Sequence, residues 1–212
     1  MATFSSPLFS ELKGSVGNIT TCKRNDTNVV KRKICGGKKK SSPAQRAQRT
    51  RVKTLSHLSI RLHRGIRAGH PGMSWSAARV AFIAENQQAV DVNEETLEVT
   101  VNYQLITYSA GNLTPPRARV TVHDAKRTVQ AEWTRLPLSP LAKDDDLLYL
   151  VILDQNREAT AVYPCGSRVN PDSPEITLPK ECTPEKILAY TFALSSRNSR
   201  ASLSVPAETV HE

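Results

Sequence analysis

From about residue 96 onward the apolar residues fall at alternate positions, a period that a pleated strand can bury on one side and a helix cannot. Leu97, Val99, Val101, Tyr103 and Leu105 alternate with polar neighbours, and further strands are predicted over 117–123, 128–135, 147–153, 159–163, 175–178, 187–195 and 201–205. Gly111-Asn112, Asp124-Ala125-Lys126, Asp154-Gln155-Asn156, Asn170-Pro171-Asp172 and Arg197-Asn198-Ser199 supply turns between them. About seven short strands at this spacing predict an antiparallel, immunoglobulin-like β-sandwich. Leu147-Leu148-Tyr149-Leu150-Val151-Ile152-Leu153 is the most apolar run and predicts a central strand buried on both faces.

Upstream the period is helical. Ser42-Pro43-Ala44-Gln45 opens a helix: Ser42 can cap, Pro43 suits the first turn and Gln45 completes a capping box. The helix is expected to end near 64–68, with Ala44, Ala47, Val52, Leu55, Leu58, Leu62 and Ile66 on one face and Arg46, Arg49, Lys53, Arg64 and Arg67 opposite. Gly65, Gly69, Pro71 and Gly72 are expected to break it into a loop, and Ser74 to cap a second helix from Trp75 to about Gln88. Trp75, Ala78 and Phe82, with Val80 and Ile83, would face inward, and the two helices would pair antiparallel. Before them, residues 13–36 read as a β-hairpin turning through Lys23-Arg24-Asn25-Asp26-Thr27. An isolated hairpin is marginal in water, so it should pack on the body or on a neighbouring subunit. The expected fold is α+β: an N-terminal β-hairpin and two-helix region over 1–92, then the sandwich over 93–212.

Charge divides along the same line. The chain of 212 residues has 29 Lys+Arg, 20 Asp+Glu and a net charge of +9. Residues 1–80 hold 17 Lys/Arg against Glu11 and Asp26, residues 81–212 hold 12 against 18 acids, and none of the acids lies between 27 and 84. A basic half beside a mildly acidic body suggests an anionic partner. Lys31, Arg32, Lys33, Lys38, Lys39, Lys40, Arg46, Arg49 and Lys53 are the candidate contacts. Nucleic-acid phosphate, bound without sequence readout, is the leading partner, with an acidic protein surface as the other. Aromatic residues are only 5% of the chain and few lie near the basic ones, which weighs against base stacking. The alternative is a self-assembling structural subunit, of a filament or phage-like particle, whose hairpin docks on a neighbour and makes a homo-oligomer.

Signatures of catalysis are missing. There is no Gly-x-Ser-x-Gly, His-Glu-x-x-His, Gly-x-Gly-x-x-Gly or phosphate loop, and Gly36-Gly37-Lys38 has the wrong spacing for the last. His57 and His63 are six residues apart, so a helix does not bring them side by side, and His123 and Asp124 would point to opposite faces of a strand. Asp144-Asp145-Asp146 lacks the alternating carboxylates of a calcium loop and reads as a solvated turn ahead of an apolar strand. Cys22, Cys35, Cys165 and Cys182 form no Cys-x-x-Cys pair and are expected to be free thiols, although Cys22 could face Cys35. No catalytic residue, cofactor, metal site or small-molecule substrate is expected. The opening residues carry no secretory pattern and no apolar run spans a bilayer, so the expected location is cytoplasmic, away from membranes.

Short motifs also carry a resemblance. Phe4 through Arg32, with Gly14-Ser15-Val16-Gly17-Asn18 and Asn28-Val29-Val30-Lys31-Arg32, resembles the opening of an uncharacterised family common in Bacteroidota. There a Val-Gly-Asn segment leads into a hairpin ending in a Val-Val-Arg-like strand. Ser42-Pro43-Ala44-Gln45-Arg46-Ala47-Gln48-Arg49 is similar to that family's Gln-x-x-Arg helix start, and Tyr108-Ser109-Ala110-Gly111-Asn112-Leu113 to its Ser-x-Gly-x-Leu turn. Asp145-Asp146-Leu147 and Phe192-Ala193-Leu194-Ser195-Ser196 resemble parts of its C-terminal β domain. Cys22-Lys23-Arg24 stands where members carry an aromatic-rich strand. The resemblance implies the same layout and supplies no activity or site.

Overall fold

A computed structural model describes residues 2–4, 13–33, 40–197 and 199–211. The chain forms two compact units, Met1–Ser41 and Ser42–Glu212.

The first unit is a four-stranded antiparallel sheet in the order β1 (Ala2–Phe4), β4 (Thr27–Arg32), β3 (Ile19–Arg24), β2 (Gly14–Val16). Asn25 and Asp26, with φ of 46° and 60°, join Arg24 to Thr27 in a two-residue turn. Positive φ at both positions gives that turn a twist matching the strands it links. The expected hairpin is therefore present, tightened at its turn and extended by β1. Val29 and Thr21 are its buried side chains among the described residues. Cys35 and Lys38 and Lys39 of the basic connector lie outside the described residues.

The second unit opens with α1 (Pro43–Arg61), and its capping box is formed as the sequence predicts. The Gln45 amide donates to Ser42 Oγ and the Ser42 amide to Gln45 Oε1, each at 3.3 Å. The helix breaks at Leu62, and α2 (His63–Gly69) follows. Gly65 and Gly69, expected to end the helix, sit inside α2. Their role is close approach: a Cβ on Gly69 would lie 2.2 Å from the Tyr108 carbonyl oxygen, and one on Gly65 2.6 Å from the Tyr108 ring. After Gly72, α3 (Trp75–Glu85) starts at Ser74, whose hydroxyl accepts the Ala77 amide at 3.3 Å. No described helix is long and apolar enough to cross a membrane.

A two-stranded ribbon follows, β5 (Val90–Val92) with β6 (Val99–Val101). The strand expected to continue through Leu105 stops at Val101. Asn102 takes the Gln104 amide at 3.1 Å and starts a 3-10 turn over Tyr103–Leu105. One four-stranded sheet then has the order β10 (Ala159–Ser167), β9 (Leu147–Asp154), β12 (Ile187–Leu194), β13 (Val205–Pro206). Another has the order β11 (Ile176–Thr177), β8 (Thr128–Thr134), β7 (Arg117–His123), β14 (Glu208–His211). Pairing within both is antiparallel except for β14, which lies parallel to β7. Strands β5 and β14 were not anticipated. Most of the strand expected over 201–205 is irregular, because Ser202 and Ser204 are buried and bonded to Ala193, Ser109 and Tyr108.

Strands β9 and β12 form the wall between two cores. Val151, Leu153, Tyr190 and Phe192 meet Leu55, Leu58, Leu62, Ile66 and Phe82 of the helices. Leu148, Leu150, Ile152, Ile187 and Ala189, on the other side, meet Val120, Val122, Val129 and Ala131 of the second sheet. The helices thus share a core with β9 and β12, which is why the units divide at residue 41 and not near 92.

Candidate functional site

The exposed face of α1 carries three of the predicted contacts. Arg46, Arg49 and Lys53 are all exposed and recur at i, i+3 and i+7, so they share one face over roughly 10 Å of helix axis. His57 and Ile60, the latter 57% exposed, continue the same stripe. The opposite face buries Ala47, Leu55 and Leu58. Ala44 and Val52, assigned to that apolar face from the sequence, are exposed instead.

The neighbouring cations hold the fold together. Arg51 donates from Nε to the Val90 carbonyl and from Nη1 to Gln48 Oε1, each at 2.8 Å. Arg61 pairs with Glu158, which also accepts the Tyr103 hydroxyl at 3.0 Å. Arg79 of α3 donates from Nε to Ser59 Oγ at 3.0 Å and from Nη2 to Ser56 Oγ. Arg46 and Lys53, by contrast, form no ion pair among the described residues. The sequence alone does not separate these two sets, because most of the acceptors (the Val90 carbonyl, the Glu158 carboxylate and the Ser56 and Ser59 hydroxyls) are remote in the chain.

In the first unit Lys31, Arg32, Lys33 and Lys40 are exposed. Alternation along β4 puts Lys31 and Arg32 on opposite faces of the sheet, so these neighbours do not form one patch. Arg46, Arg49 and Lys53 are the predicted residues that the structure brings together.

A second feature has no counterpart in the sequence reading. At one end of the two sheets is a cavity of ≈ 180 Å³ with Arg64, Ile152, Asp154, Ala161, Tyr163 and Cys182 among its lining residues. A shallower hollow beside it is formed by His63, Arg64, Arg67 and the face of β10. Trp75, half-buried, meets the His63 ring edge-on at 6.4 Å, which accounts for it as packing. Burial raises the Tyr163 hydroxyl, with Cys182 adding to the shift and Arg64 opposing it. The Cys182 thiol is raised by burial and then by the Asp154 carboxylate, and burial pushes Cys165 up to about 12. Both thiols stay protonated near neutral pH and are poor nucleophiles. Cys22, Cys165 and Cys182 are free.

The Asp144-Asp145-Asp146 turn differs from the solvated segment expected. Asp144 and Asp145 are exposed, but Asp146 is 1% exposed. Its Oδ2 accepts Arg168 Nε and the Lys143 amide, each at 3.0 Å. Arg168 also donates to the Thr114 carbonyl. The triplet thus anchors a loop. Of the histidines, His70 is 6% exposed, with Nδ1 3.1 Å from the Ile66 carbonyl and Nε2 3.7 Å from Glu85 Oε2. His211 of β14 lies 3.6 Å from Asp124. No group of three or more His, Cys, Asp or Glu among the described residues could hold a metal ion.

No family model, curated protein or solved structure matches this chain. Its chemistry is therefore read from its own surfaces: a cationic helix face, and a small cavity with an arginine and a buried carboxylate.

Proposed function

We propose that this chain is a non-enzymatic binding protein whose basic surface engages a polyanion, nucleic-acid phosphate first, without reading base sequence. The observation that carries this is the stripe of Arg46, Arg49 and Lys53 on the exposed face of a capped helix, within a stretch of sequence that has no acidic residue between 27 and 84. Like charges at i,i+3 and i,i+4 repel, and a phosphate backbone laid along the stripe turns that repulsion into binding through counterion release. Lys31, Arg32, Lys33, Lys38, Lys39 and Lys40 add charge from the first unit. The two four-stranded sheets, read here as an immunoglobulin-like sandwich, serve as the scaffold behind α1.

A second reading, self-assembly, is favoured by one observation. Among the described residues of the first unit Val29 and Thr21 are buried, while Val16 and Ile19 are 68% and 45% exposed. Exposed apolar side chains on a small sheet are stabilised by another surface laid on them, and a second copy of the chain would supply one.

Size-exclusion chromatography with light scattering separates these readings, run with and without nuclease at low and high salt. A complex that absorbs at 260 nm, dissociates in salt and collapses to monomer with nuclease supports polyanion binding. An oligomer resistant to nuclease supports assembly in its place, and a monomer under every condition refutes both.

A further inference from the structure

The composition gave no reason to expect a small-molecule partner, but the cavity at the end of the two sheets does. We propose that it binds a small zwitterion with an apolar body, of the chemistry of an aliphatic α-amino acid. Its walls come in large part from the sheet of β10, β9, β12 and β13. Asp154 stands opposite Ala159 and Ile187 on the neighbouring strands, and Ile152 stands opposite Ala161. Alanine at 159 and 161, on the edge strand β10, leaves unfilled the space that larger side chains would occupy. Leu178 closes the apolar side.

Two charged groups give the cavity its chemistry. Asp154 is 5% exposed. Its Oδ1 accepts the Asn156 and Arg157 amides at 3.0 and 3.3 Å, which orders the β9–β10 turn. Its Oδ2 is buried, and the Cys182 thiol, a weak donor, lies against it. A buried carboxylate oxygen answered only by a thiol is poorly paired, and an ammonium group that displaced the thiol would satisfy it. Arg64 is exposed, lines the same cavity and forms no ion pair among the described residues. Arg157, also lining it, is held by Glu181 at 2.8 Å, so Arg64 is the cation left to receive a carboxylate. An anion alone would leave Asp154 unanswered, and a cation alone would leave Arg64. A zwitterion answers both, and its apolar part rests on Ile152, Ile187 and Leu178. The volume of ≈ 180 Å³ exceeds the roughly 150 Å³ cavity that takes a benzene ring, so a body of about four to six carbons fits.

The test is a matched series of L-leucine, 4-methylpentanoate and 3-methylbutylamine, titrated into the full chain while the backbone amides of 152, 154, 161 and 187 are followed by NMR. Leucine should shift these amides, and the acid and the amine should each bind about tenfold more weakly or worse, the loss of one charge-assisted hydrogen bond. Arg64→Gln should weaken leucine and the acid but not the amine. Asp154→Asn should weaken leucine and the amine but not the acid. Because Asp154 also orders a turn, Ala161→Leu is the second variant: it fills the cavity from the edge strand and should abolish binding with the melting temperature unchanged. Absence of leucine-dependent shifts, binding of the acid as tight as that of leucine, or a folded Ala161→Leu variant that still binds would each overturn the proposal. None of these readouts depends on polyanion binding by α1.

Discussion

Replacing Arg168 by Met tests how much the buried ion pair with Asp146 contributes to the second unit. Their side chains are 8% and 2% exposed, so solvent screens them little. The substitution removes the Nε bond to Asp146 Oδ2 at 3.0 Å and the Nη2 bond to the Thr114 carbonyl. The carboxylate is left with the Lys143 amide, also at 3.0 Å, as its remaining donor. An unpaired buried charge of this kind costs about 3–5 kcal/mol. For a unit of this size each kcal/mol moves the melting temperature by about 2–4 °C, so a loss of roughly 6–20 °C is expected. Asp146→Asn keeps an acceptor for the Lys143 amide and removes the charge. The double variant Asp146→Asn/Arg168→Met should therefore be less destabilised than the sum of the singles, by about 1–3 kcal/mol. Urea denaturation of the four proteins in the cycle measures this directly. A single-variant loss below about 1 kcal/mol with no coupling would mean that the pair behaves as a solvated one, and the argument from burial would fail.

Other expectations follow from the same structure. Changing Arg46, Arg49 and Lys53 to Ala together should lower the slope of log K against log salt by about 2–3 for a nucleic-acid probe in fluorescence anisotropy, three phosphate contacts at about 0.7–0.9 each; an unchanged slope removes α1 from the interface. Gly69→Ala should destabilise the chain by about 1–3 kcal/mol in urea, since the added Cβ would meet the Tyr108 carbonyl at 2.2 Å, and a neutral result would show that α2 can shift freely. Burial alone would lower the pKa of His70, but the Glu85 carboxylate and the Ile66 and Tyr108 carbonyls outweigh it, and the folded value stands above 6.5. This pair therefore stabilises the fold most fully below that pH, and the stabilisation is lost as pH rises through the raised value. The urea midpoint should fall across that range in the parent and stay flatter in His70→Gln; a parent midpoint that rises would reverse the assignment.

Features set by neighbours in the sequence were legible in it. The capping box at Ser42, the positive-φ turn at Asn25-Asp26, and the strands over 117–123 and 147–153 each depend on a few adjacent residues. What escaped depended on distant ones. Gly65 and Gly69 are helix breakers by propensity, and only Tyr108, some forty residues on, shows why α2 needs them. Asp146 reads as solvent-facing until Arg168 is placed beside it. Leu62, a good helix former, lies at the break between α1 and α2, where its side chain is wholly buried and packing overrides propensity. The candidate sites divide in the same way. The stripe on α1 follows from periodicity, whereas the cavity is assembled from Arg64, from 152–163 and from 178–187, segments with no common pattern.

The wall formed by β9 and β12 also governs which changes the chain can accept over evolutionary time. On β7 alternate residues such as Arg117 and Arg119 look outward, so every second position is open to drift. From Leu150 to Leu153, and again from Ala189 to Leu194, each successive side chain is buried. In a library of all single substitutions the first strand would show a comb of permissive and intolerant sites. The other two would show unbroken blocks, the mark of a sheet with no outside.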